Sequence, residues 1–410
     1  MIEPPALKRI VYVVSLFPSL SETFIVREIN TLIERGVDVQ IISLKKPSKD
    51  LLQTDAATLL DRAHHPKAPA RALVDVLRAF RLNPRAVLRA LALILTDSWR
   101  RPDVALKSVV TLFRALEHVS WLQRFDPQLI HAHWATYPST AAWALGCVLG
   151  RPFSFTCHAH DIFIEKQLLA RKISEAALAV TISRHNVDWL CTHATPMAEH
   201  KLKVVHCGVD MERAPWQPFH RDPRTMLAVG RLDPVKGFET LIDAIALLQE
   251  RGIELDCRLV GSGPMDPMLR RRAVERGVAS RIEFTGPQTQ ERIRSWMSTA
   301  TLFVLPSQVA ADGNRDGIPV ALMEAMASGC PVVSTRVSGI PELIEDDQDG
   351  VLVEQRDPAA LADAIARLLE SDDLRQRLAT GARTRIENEF DARKEAGRLH
   401  ELMAEATYVT

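Results

Sequence analysis

Short apolar runs alternate with helical patterns along most of the chain, and this alternation occurs in two successive sets. In the first half, runs such as Ile10–Leu16 and Gln128–His133 are followed by periodic segments such as Ser139–Leu149. A second set begins at Met226–Gly230 and continues through Thr301–Leu305. Strands that alternate with helices pair in parallel through βαβ units. The sequence therefore predicts an α/β protein with two parallel sheets.

Length and proline content divide the chain. A chain of 410 residues exceeds one typical core, so two domains are expected. The segment Ala214–Pro223 contains three prolines and separates the two sets, as a linker does. We predict an N-terminal domain over residues 1–214, a C-terminal domain over residues 215–390 and a final helix over residues 391–410. Helical patterning without a convincing strand predicts a helical insert at about residues 62–125.

Composition excludes several classes of protein. A hydrophobic content of 47% with 25% charged residues is that of an ordinary globular protein. The formal net charge of zero argues against a nucleic-acid binder, and no uninterrupted apolar stretch is long enough to span a bilayer. The apolar run near the N-terminus lacks a small-residue cleavage site. It is therefore expected to form the first strand rather than a signal peptide, which favours a cytoplasmic location.

Two carboxylates, Asp316 and Glu324, lie around the start of a predicted helix. Pro319 suits a first helical residue and Gly329 suits a C-terminal cap. The free amides at such a helix start favour an anionic group, for which a diphosphate is the obvious candidate. The carboxylates would then hold hydroxyl groups of an attached sugar.

The turn after the first strand of the second set carries Gly230, Arg231 and Lys236. The planar fork of Arg and the point charge of Lys both suit a diphosphate, although two surface cations would be a plainer explanation. In the next strand-to-helix turn, Gly261 and Gly263 allow a close backbone approach to a ligand. A plain turn explains these two glycines equally well.

Along the chain, the motif with Arg231 and Lys236 precedes the motif with Asp316 and Glu324. In this order the two motifs resemble those of family 4 of the retaining glycosyltransferases with the GT-B fold, in particular bacterial exopolysaccharide transferases. The family pattern has Glu where this chain has Asp316, which shortens the side chain by one methylene. The resemblance extends from about residue 11 to residue 344. It implies two Rossmann-like domains that face one another across a cleft, with a C-terminal helix that crosses back to the N-terminal domain.

The resemblance also implies roles for the donor-site residues. Glu324 would bind the ribose, and Asp316 with the Gly317 and Ile318 amides would hold the sugar. Arg231 and Lys236 would stabilise the departing diphosphate in place of a metal ion, so no metal and no cofactor are expected. The predicted donor-binding set is Gly230, Arg231, Lys236, Gly261, Gly263, Asp316, Gly317, Ile318, Pro319 and Glu324.

Candidate acceptor residues follow two strands of the N-terminal domain. Ser21, Glu22 and Thr23 either cap a helix or contact the acceptor. The resemblance places His158, His160 and Asp161 beside the donor sugar and the acceptor hydroxyl. From it we expect His158 to bind acceptor, and His160 and Asp161 to take part in catalysis with Arg231, Lys236 and Asp316.

Alternation along a strand places His131 and His133 on one face, as a metal site would require. No Cys or Glu stands at a supporting spacing, so structural packing is the preferred interpretation.

The predicted activity is retaining, metal-independent transfer of a hexose from a nucleotide-diphosphate sugar to a glycan or lipid-linked oligosaccharide, in exopolysaccharide biosynthesis. Two alternatives are a transferase with a small soluble acceptor and a nucleotide-sugar-binding protein with weak turnover. Residues 62–124 hold twelve Lys or Arg against four Asp or Glu. This basic, apolar segment is either a set of solvated helices or a peripheral contact with the inner face of an anionic membrane.

Overall fold

The computed structural model describes residues 7–19, 23–47, 54–214, 216 and 222–408. It divides into two compact units, Met1–Val205 with Arg393–Thr410, and His206–Ala392. The division falls after Val205, whereas the sequence predicted it at residue 214. The intervening segment joins the second unit because the Val209 amide donates to the Phe390 carbonyl over 2.8 Å, and Val209 packs in the core of that unit.

Within the described residues, the N-terminal unit builds a seven-stranded parallel sheet in the order β3-β2-β1-β4-β5-β6-β7. Its strands are β1 Arg9–Leu16, β2 Asp38–Lys45, β3 Ala63–His64, β4 Leu129–His133, β5 Phe153–Cys157, β6 Leu178–Thr181 and β7 Leu202–Val204. The first three strands extend the sheet in one direction from β1, and the later strands extend it in the other. The direction in which successive strands are added to the sheet therefore reverses between β1 and β4.

The described part of the C-terminal unit builds a six-stranded parallel sheet in the order β10-β9-β8-β11-β12-β13. Its strands are β8 Asp222–Val229, β9 Asp256–Val260, β10 Ile282–Gly286, β11 Ala300–Leu305, β12 Val332–Thr335 and β13 Val351–Val353. The reversal in this sheet lies between β8 and β11. Doubly wound sheets bind ligands at such a switch point, beyond the carboxyl ends of the strands.

Helices connect the strands of both sheets. In chain order over the described residues they are α1 Thr23–Glu34, α2 Pro69–Leu82, α3 Pro84–Asp97, α4 Pro102–Leu116, α5 Val119–Phe125, α6 Tyr137–Leu149, α7 His160–Phe163, α8 Leu169–Glu175, α9 Arg184–His193, α10 Ala198–Lys201, α11 Phe238–Glu250, α12 Asp266–Glu275, α13 Gln290–Thr299, α14 Val320–Ala327, α15 Ile340–Leu343, α16 Pro358–Glu370, α17 Asp372–Glu389 and α18 Ala392–Ala406. No helix among the described residues is both long and apolar enough to cross a bilayer.

The predicted helical insert is present as α2 to α5, but a two-residue strand precedes it. The sequence indicated no strand here, whereas β3 pairs with β2 through Ile41 and Ala63. Local signals fix the helices that follow: α3 begins at Pro84, and the Asn83 side chain accepts a hydrogen bond from the Ala86 amide at 3.1 Å. A two-residue edge strand is too short to produce an apolar run.

The C-terminal helix α18 packs on the N-terminal sheet, as predicted. Leu399 and Met403 are buried in the same core as Ile10, Ile29 and Val39. The chain therefore leaves the second unit after Ala392 and finishes on the first.

Candidate functional site

The switch point of the C-terminal sheet carries an ion pair between the two predicted donor motifs. Lys236 follows β8 and Asp316 follows β11, and these two strands are neighbours. The Lys236 ammonium donates to Asp316 Oδ1 over 2.8 Å, and the two side chains are 15% and 16% exposed. A cation and a carboxylate thus meet where doubly wound sheets bind ligands.

The loop after β11 holds the turn that carries Lys236. Gln308 donates from its backbone amide to the Val235 carbonyl at 2.8 Å and from Nε2 to the Pro234 carbonyl at 2.7 Å. Gly237 has a φ of +64°, and a Cβ atom there would lie 1.9 Å from the Pro306 carbonyl oxygen. Only glycine fits this approach, so the two loops are locked together.

Ser307 completes the setting of Asp316 and was not predicted. Its Oγ donates to Asp316 Oδ2 at 2.8 Å, while its carbonyl accepts a hydrogen bond from the Thr335 hydroxyl. Both carboxylate oxygens of Asp316 are therefore bound in this structure. The available sequence signal was the position of Ser307, two residues beyond the end of a central strand.

Helix α14 begins one residue later than predicted. Pro319 precedes the helix as its N-cap residue, with a φ of −67° and a ψ of 122°, and Val320 is the first helical residue. Gly329 has the predicted left-handed conformation, with a φ of +73°. Ile318 buries its side chain in the core beside the buried Gly317. Within the described part of the chain, the Gly317 and Ile318 amides have no protein acceptor.

Glu324 lies half-buried in the second turn of α14. Its backbone carbonyl accepts hydrogen bonds from both the amide and the hydroxyl of Ser328. The helix thus fixes the Glu324 backbone eight residues beyond Asp316.

Arg231 lies in the turn after β8, and Gly261 and Gly263 lie in the neighbouring turn after β9. The Arg231 side chain is 70% exposed and its Nε donates to the buried Asp233 carboxylate. A Cβ at Gly261 would lie 1.9 Å from the Gly230 carbonyl oxygen, and one at Gly263 would lie 2.3 Å from the Leu232 carbonyl oxygen. The two glycines thus allow one turn to pack on another, and their contact with a donor stays a prediction.

In the N-terminal unit, a chain of hydrogen bonds links β1, α1, β4 and the loop after β5, near the switch point between β1 and β4. Tyr12 donates its hydroxyl to Glu28 Oε1, which lies 3.1 Å from His133 Nε2. His133 Nδ1 lies 3.2 Å from His158 Nε2. If the Glu28 carboxylate accepts from His133 Nε2–H, then His133 Nδ1 accepts from His158 Nε2–H. Glu28 was not predicted, since nothing in a helical sequence pattern marks it.

Burial sets the ionisation of Tyr12 and His158, the two ends of this hydrogen-bond chain. It lowers the pKa of His158 well below its usual 6.5, with a smaller contribution from His133. Burial, together with the Glu28 charge, raises the pKa of Tyr12 well above 10. Tyr12 therefore remains a donor, and a neutral His158 is the favoured form.

His160 and Asp161 have different environments although they are adjacent. His160 is the exposed first residue of α7, whereas Asp161 is almost fully buried. The Asp161 carboxylate accepts from the amides of Ala135 at 2.7 Å and Ala159 at 2.9 Å, and from that of His158. Burial raises the pKa of Asp161 against the opposing effect of these amides. Asp161 therefore braces the loops after β4 and β5, and its part in catalysis stays a prediction.

The predicted acceptor motif is described only in part. Ser21 and Glu22 lie outside the described residues. Thr23 begins α1, and its hydroxyl accepts a hydrogen bond from Arg27 at 3.2 Å.

Glu28, His131 and His133 have ligand atoms close enough together for a metal ion, within 4.8 Å of one another. Protein groups already contact both ring nitrogens of His131: Ser154 Oγ at 2.8 Å and Thr156 Oγ1 at 3.3 Å. Both ring nitrogens of His133 likewise have partners, Glu28 and His158. Hydrogen bonds within the protein therefore satisfy both ring nitrogens of each buried histidine, and the structural role of this pair stays a prediction.

Comparison with known proteins gives matches along nearly the whole chain. Residues 21–213 match the family described as Glycosyltransferase Family 4, and residues 210–385 match the one described as Glycosyl transferases group 1. The chain is similar to the protein of Escherichia coli K12 named as colanic acid biosynthesis glycosyltransferase WcaL. The two are 30% identical over 391 residues, which are 92% of this chain and 94% of that protein.

Two solved structures share the fold. Sucrose-phosphate synthase from Thermosynechococcus elongatus superposes with a TM-score of 0.72 at 18% identity, covering 98% of this chain and 100% of that one. Anabaena HepE in complex with UDP-glucose superposes with a TM-score of 0.69 at 18% identity, covering 97% and 99%. The two parallel-sheet Rossmann-like domains are those of the GT-B fold, as predicted.

Proposed function

We propose that this chain, which belongs to glycosyltransferase family 4, transfers a sugar from a nucleotide-diphosphate donor with retention of the anomeric configuration. The observation that carries this proposal is the Lys236–Asp316 ion pair at the switch point between β8 and β11. In the proposal, a diphosphate binds the cation and a sugar hydroxyl binds the carboxylate. Each half of the donor thus has a partner of suitable charge.

The remaining donor contacts follow from the same turn and helix. Arg231 belongs to the same turn as Lys236 and extends into solvent. Its guanidinium would bind the diphosphate once the donor is present. The Gly317 and Ile318 amides would donate to the sugar. Glu324 would accept from the ribose hydroxyls, for which a carboxylate offers two oxygens.

In the transfer step, the bond from the anomeric carbon to the diphosphate oxygen breaks, and a bond from that carbon to the acceptor oxygen forms. The departing diphosphate oxygen takes the electron pair, and the proton of the acceptor hydroxyl passes to that oxygen. Lys236 and Arg231 would stabilise the charge that develops on the diphosphate, and such preorganised cations act most strongly in the transition state. We therefore propose that transfer of a hexose requires no metal ion.

The proposed acceptor is a glycan or a lipid-linked oligosaccharide in exopolysaccharide biosynthesis. The similarity to the colanic acid protein supports this assignment, and HepE bound to UDP-glucose supports a nucleotide-sugar donor. His158, held by the hydrogen-bond chain from Glu28, would contact the acceptor in the N-terminal domain, with His160 beside it. Peripheral contact with an anionic membrane would bring a lipid-linked acceptor to the enzyme.

The experiment is release of nucleoside diphosphate from a panel of nucleotide sugars, with lipid-linked oligosaccharide acceptors and with excess EDTA. Acceptor-dependent release that survives EDTA is the expected result. Complete loss of release, restored by a divalent ion, would contradict metal independence. Tight donor binding without release from any donor and acceptor pair would instead indicate a nucleotide-sugar-binding protein. Release with a small soluble acceptor alone would favour the soluble-acceptor alternative.

A further inference from the structure

We infer that helices α2, α3 and α4 form a docking surface for an anionic lipid bilayer, into which their exposed apolar side chains insert. We call this the insert face. Its large apolar side chains are all solvent-exposed: Leu73, Val74 and Leu77 on α2, Leu88 and Leu95 on α3, Trp99 in the following turn, and Leu106, Val110 and Phe113 on α4. The inference deepens the proposed function by naming the surface that would meet the membrane.

The exposed apolar residues follow the periodicity of a helix face. On α4, Leu106, Val110 and Phe113 are spaced by four and three residues, which places them on one side of the helix. The same spacing relates Leu88, Ala92 and Leu95 on α3, and Trp99 continues it into the next turn. Leu73 and Leu77 are likewise one turn apart on α2. Each of the three helices therefore presents an apolar stripe to solvent.

These stripes are separate from the faces that hold the insert on the domain. Helix α3 buries Val87, Ala90 and Ile94, and α4 buries a further set that includes Leu112. All three helices contact α6 and one another. Helix α6 therefore lies on their inner side, and the exposed stripes face away from it. Large exposed apolar side chains on three helices that contact one another indicate an interaction site.

The charged residues of the insert favour a lipid as the occupant. Arg71, Arg81 and Arg85 are exposed and make no ion pair among the described residues. The Arg100 guanidinium lies 4.8 Å from the centre of the Trp99 ring. Basic side chains beside Trp and Leu match an anionic headgroup layer above acyl chains.

The same charges disfavour a second copy of this chain. The insert carries eight more basic than acidic residues between positions 62 and 124, so two insert faces would repel each other. An anionic bilayer satisfies both the basic and the apolar groups. We therefore assign an anionic lipid bilayer as the occupant of the insert face.

The test is co-sedimentation of the full chain with vesicles of phosphatidylglycerol mixed with phosphatidylcholine, and with vesicles of phosphatidylcholine alone. We expect binding to the anionic vesicles at about 0.05 M salt. Binding should weaken but persist at about 0.5 M salt, because salt screens the arginines and leaves the apolar contacts intact. No donor sugar is present, so failure here is distinct from failure of the proposed transferase activity.

Two double variants separate the apolar from the electrostatic contribution. Trp99→Ser with Leu106→Ser should lower vesicle affinity roughly a hundredfold at both salt concentrations. Arg81→Gln with Arg85→Gln should lower it roughly thirtyfold at low salt and little at high salt. Arg78 and Arg89 are unsuitable, because Arg78 donates to Ser120 and Arg89 binds Glu175.

Matched controls come from the C-terminal unit. Val274→Ser removes another exposed apolar side chain, 68% exposed on α12, and Arg271→Gln with Arg294→Gln removes two cations. Both controls should bind vesicles as the wild type does. Absence of wild-type binding to anionic vesicles would overturn the inference, as would equal loss in the controls. A concentration-dependent dimer that Leu106→Ser dissociates would assign the face to a second copy instead.

Discussion

The Lys236 ammonium donates a hydrogen bond to Asp316 Oδ1 over 2.8 Å, although the two residues are 80 positions apart in the sequence. Each belongs to a separate motif, one after β8 and one after β11. Their pairing means that, before any donor binds, the carboxylate proposed for the sugar neutralises the cation proposed for the diphosphate. A bound diphosphate would therefore have to compete with Asp316 for Lys236.

The first prediction concerns this competition. Asp316→Asn keeps the shape of the side chain but removes its charge, so Lys236 no longer loses an ion pair when it binds a diphosphate. We expect a severalfold gain in affinity for free nucleoside diphosphate, on the order of 1 kcal/mol for a partly buried pair. Transfer of sugar should fall, because the sugar loses a charged acceptor. Calorimetric titration with nucleoside diphosphate, together with the release assay, measures both effects.

The matched variant for Asp316→Asn is Asp316→Glu, which restores the family residue. Ser307 and Lys236 each contact one oxygen of the shorter carboxylate at 2.8 Å. An added methylene displaces both oxygens, so activity should fall despite the retained charge. Full activity of Asp316→Asn would limit the Asp316 carboxylate to holding Lys236 and Ser307 in place.

The second prediction concerns the two cations. Arg231→Ala and Lys236→Ala should each lower kcat by raising the activation free energy roughly 2–4 kcal/mol, because the positive charge acts on the departing diphosphate in the transition state. Arg271→Ala, an exposed cation on α12, is the control and should have wild-type turnover. Steady-state kinetics of nucleotide release provide the measurement. Unchanged kcat in both site variants would refute their assigned role.

A third prediction addresses the hydrogen-bond chain from Tyr12 to His158. Glu28→Gln replaces the charged acceptor beside His133 Nε2 with an amide, which can either accept or donate at that nitrogen. Turnover should fall, because an amide fixes the His133 tautomer less firmly. Tyr12→Phe is the control, since it keeps the carboxylate and removes one donor. Steady-state release of nucleoside diphosphate provides the measurement, and unchanged turnover in Glu28→Gln would limit Glu28 to packing.

The fourth prediction uses the buried Lys172. Its Nζ donates to the Ala135 carbonyl and to oxygens of Thr136 at 3.1 Å, Ser139 at 3.0 Å and Thr140 at 3.2 Å. Burial nevertheless lowers the pKa of Lys172 from 10.5 to about 7. Above pH 7 the unfolded chain therefore binds one more proton at this site than the folded chain does. The free energy of unfolding should rise with pH in this window.

Comparison with Lys172→Met isolates this contribution. The wild type should gain about 2 kcal/mol of stability over the variant between pH 7 and pH 9, measured by urea unfolding at each pH. Other groups titrate alike in both proteins and cancel. A difference between the two proteins that stays constant over this window would show that Lys172 keeps its proton in the folded state.

The sequence predicts local elements better than it predicts the contacts between them. β11 and the end of α14 follow from the apolar run Thr301–Leu305 and from Gly329, since these are properties of neighbouring residues. The Lys236–Asp316 pair depends on strand order, because β8 and β11 are adjacent only after the sheet forms. Burial of Asp161 also depends on tertiary structure, since its amide donors come from the loops after two different strands.

The central claim is that α14 and the turn after β8 bind a nucleoside diphosphate, and titration calorimetry tests it most directly. The full chain should bind one nucleoside diphosphate of a panel in excess EDTA. Glu324→Ala should weaken that binding by roughly 2–3 kcal/mol, because a carboxylate held by two ribose hydroxyls makes charge-assisted hydrogen bonds. Glu275→Gln, an exposed carboxylate on α12, should bind as the wild type does. Absence of binding by any nucleotide of the panel, or equal affinity in Glu324→Ala, would contradict the account.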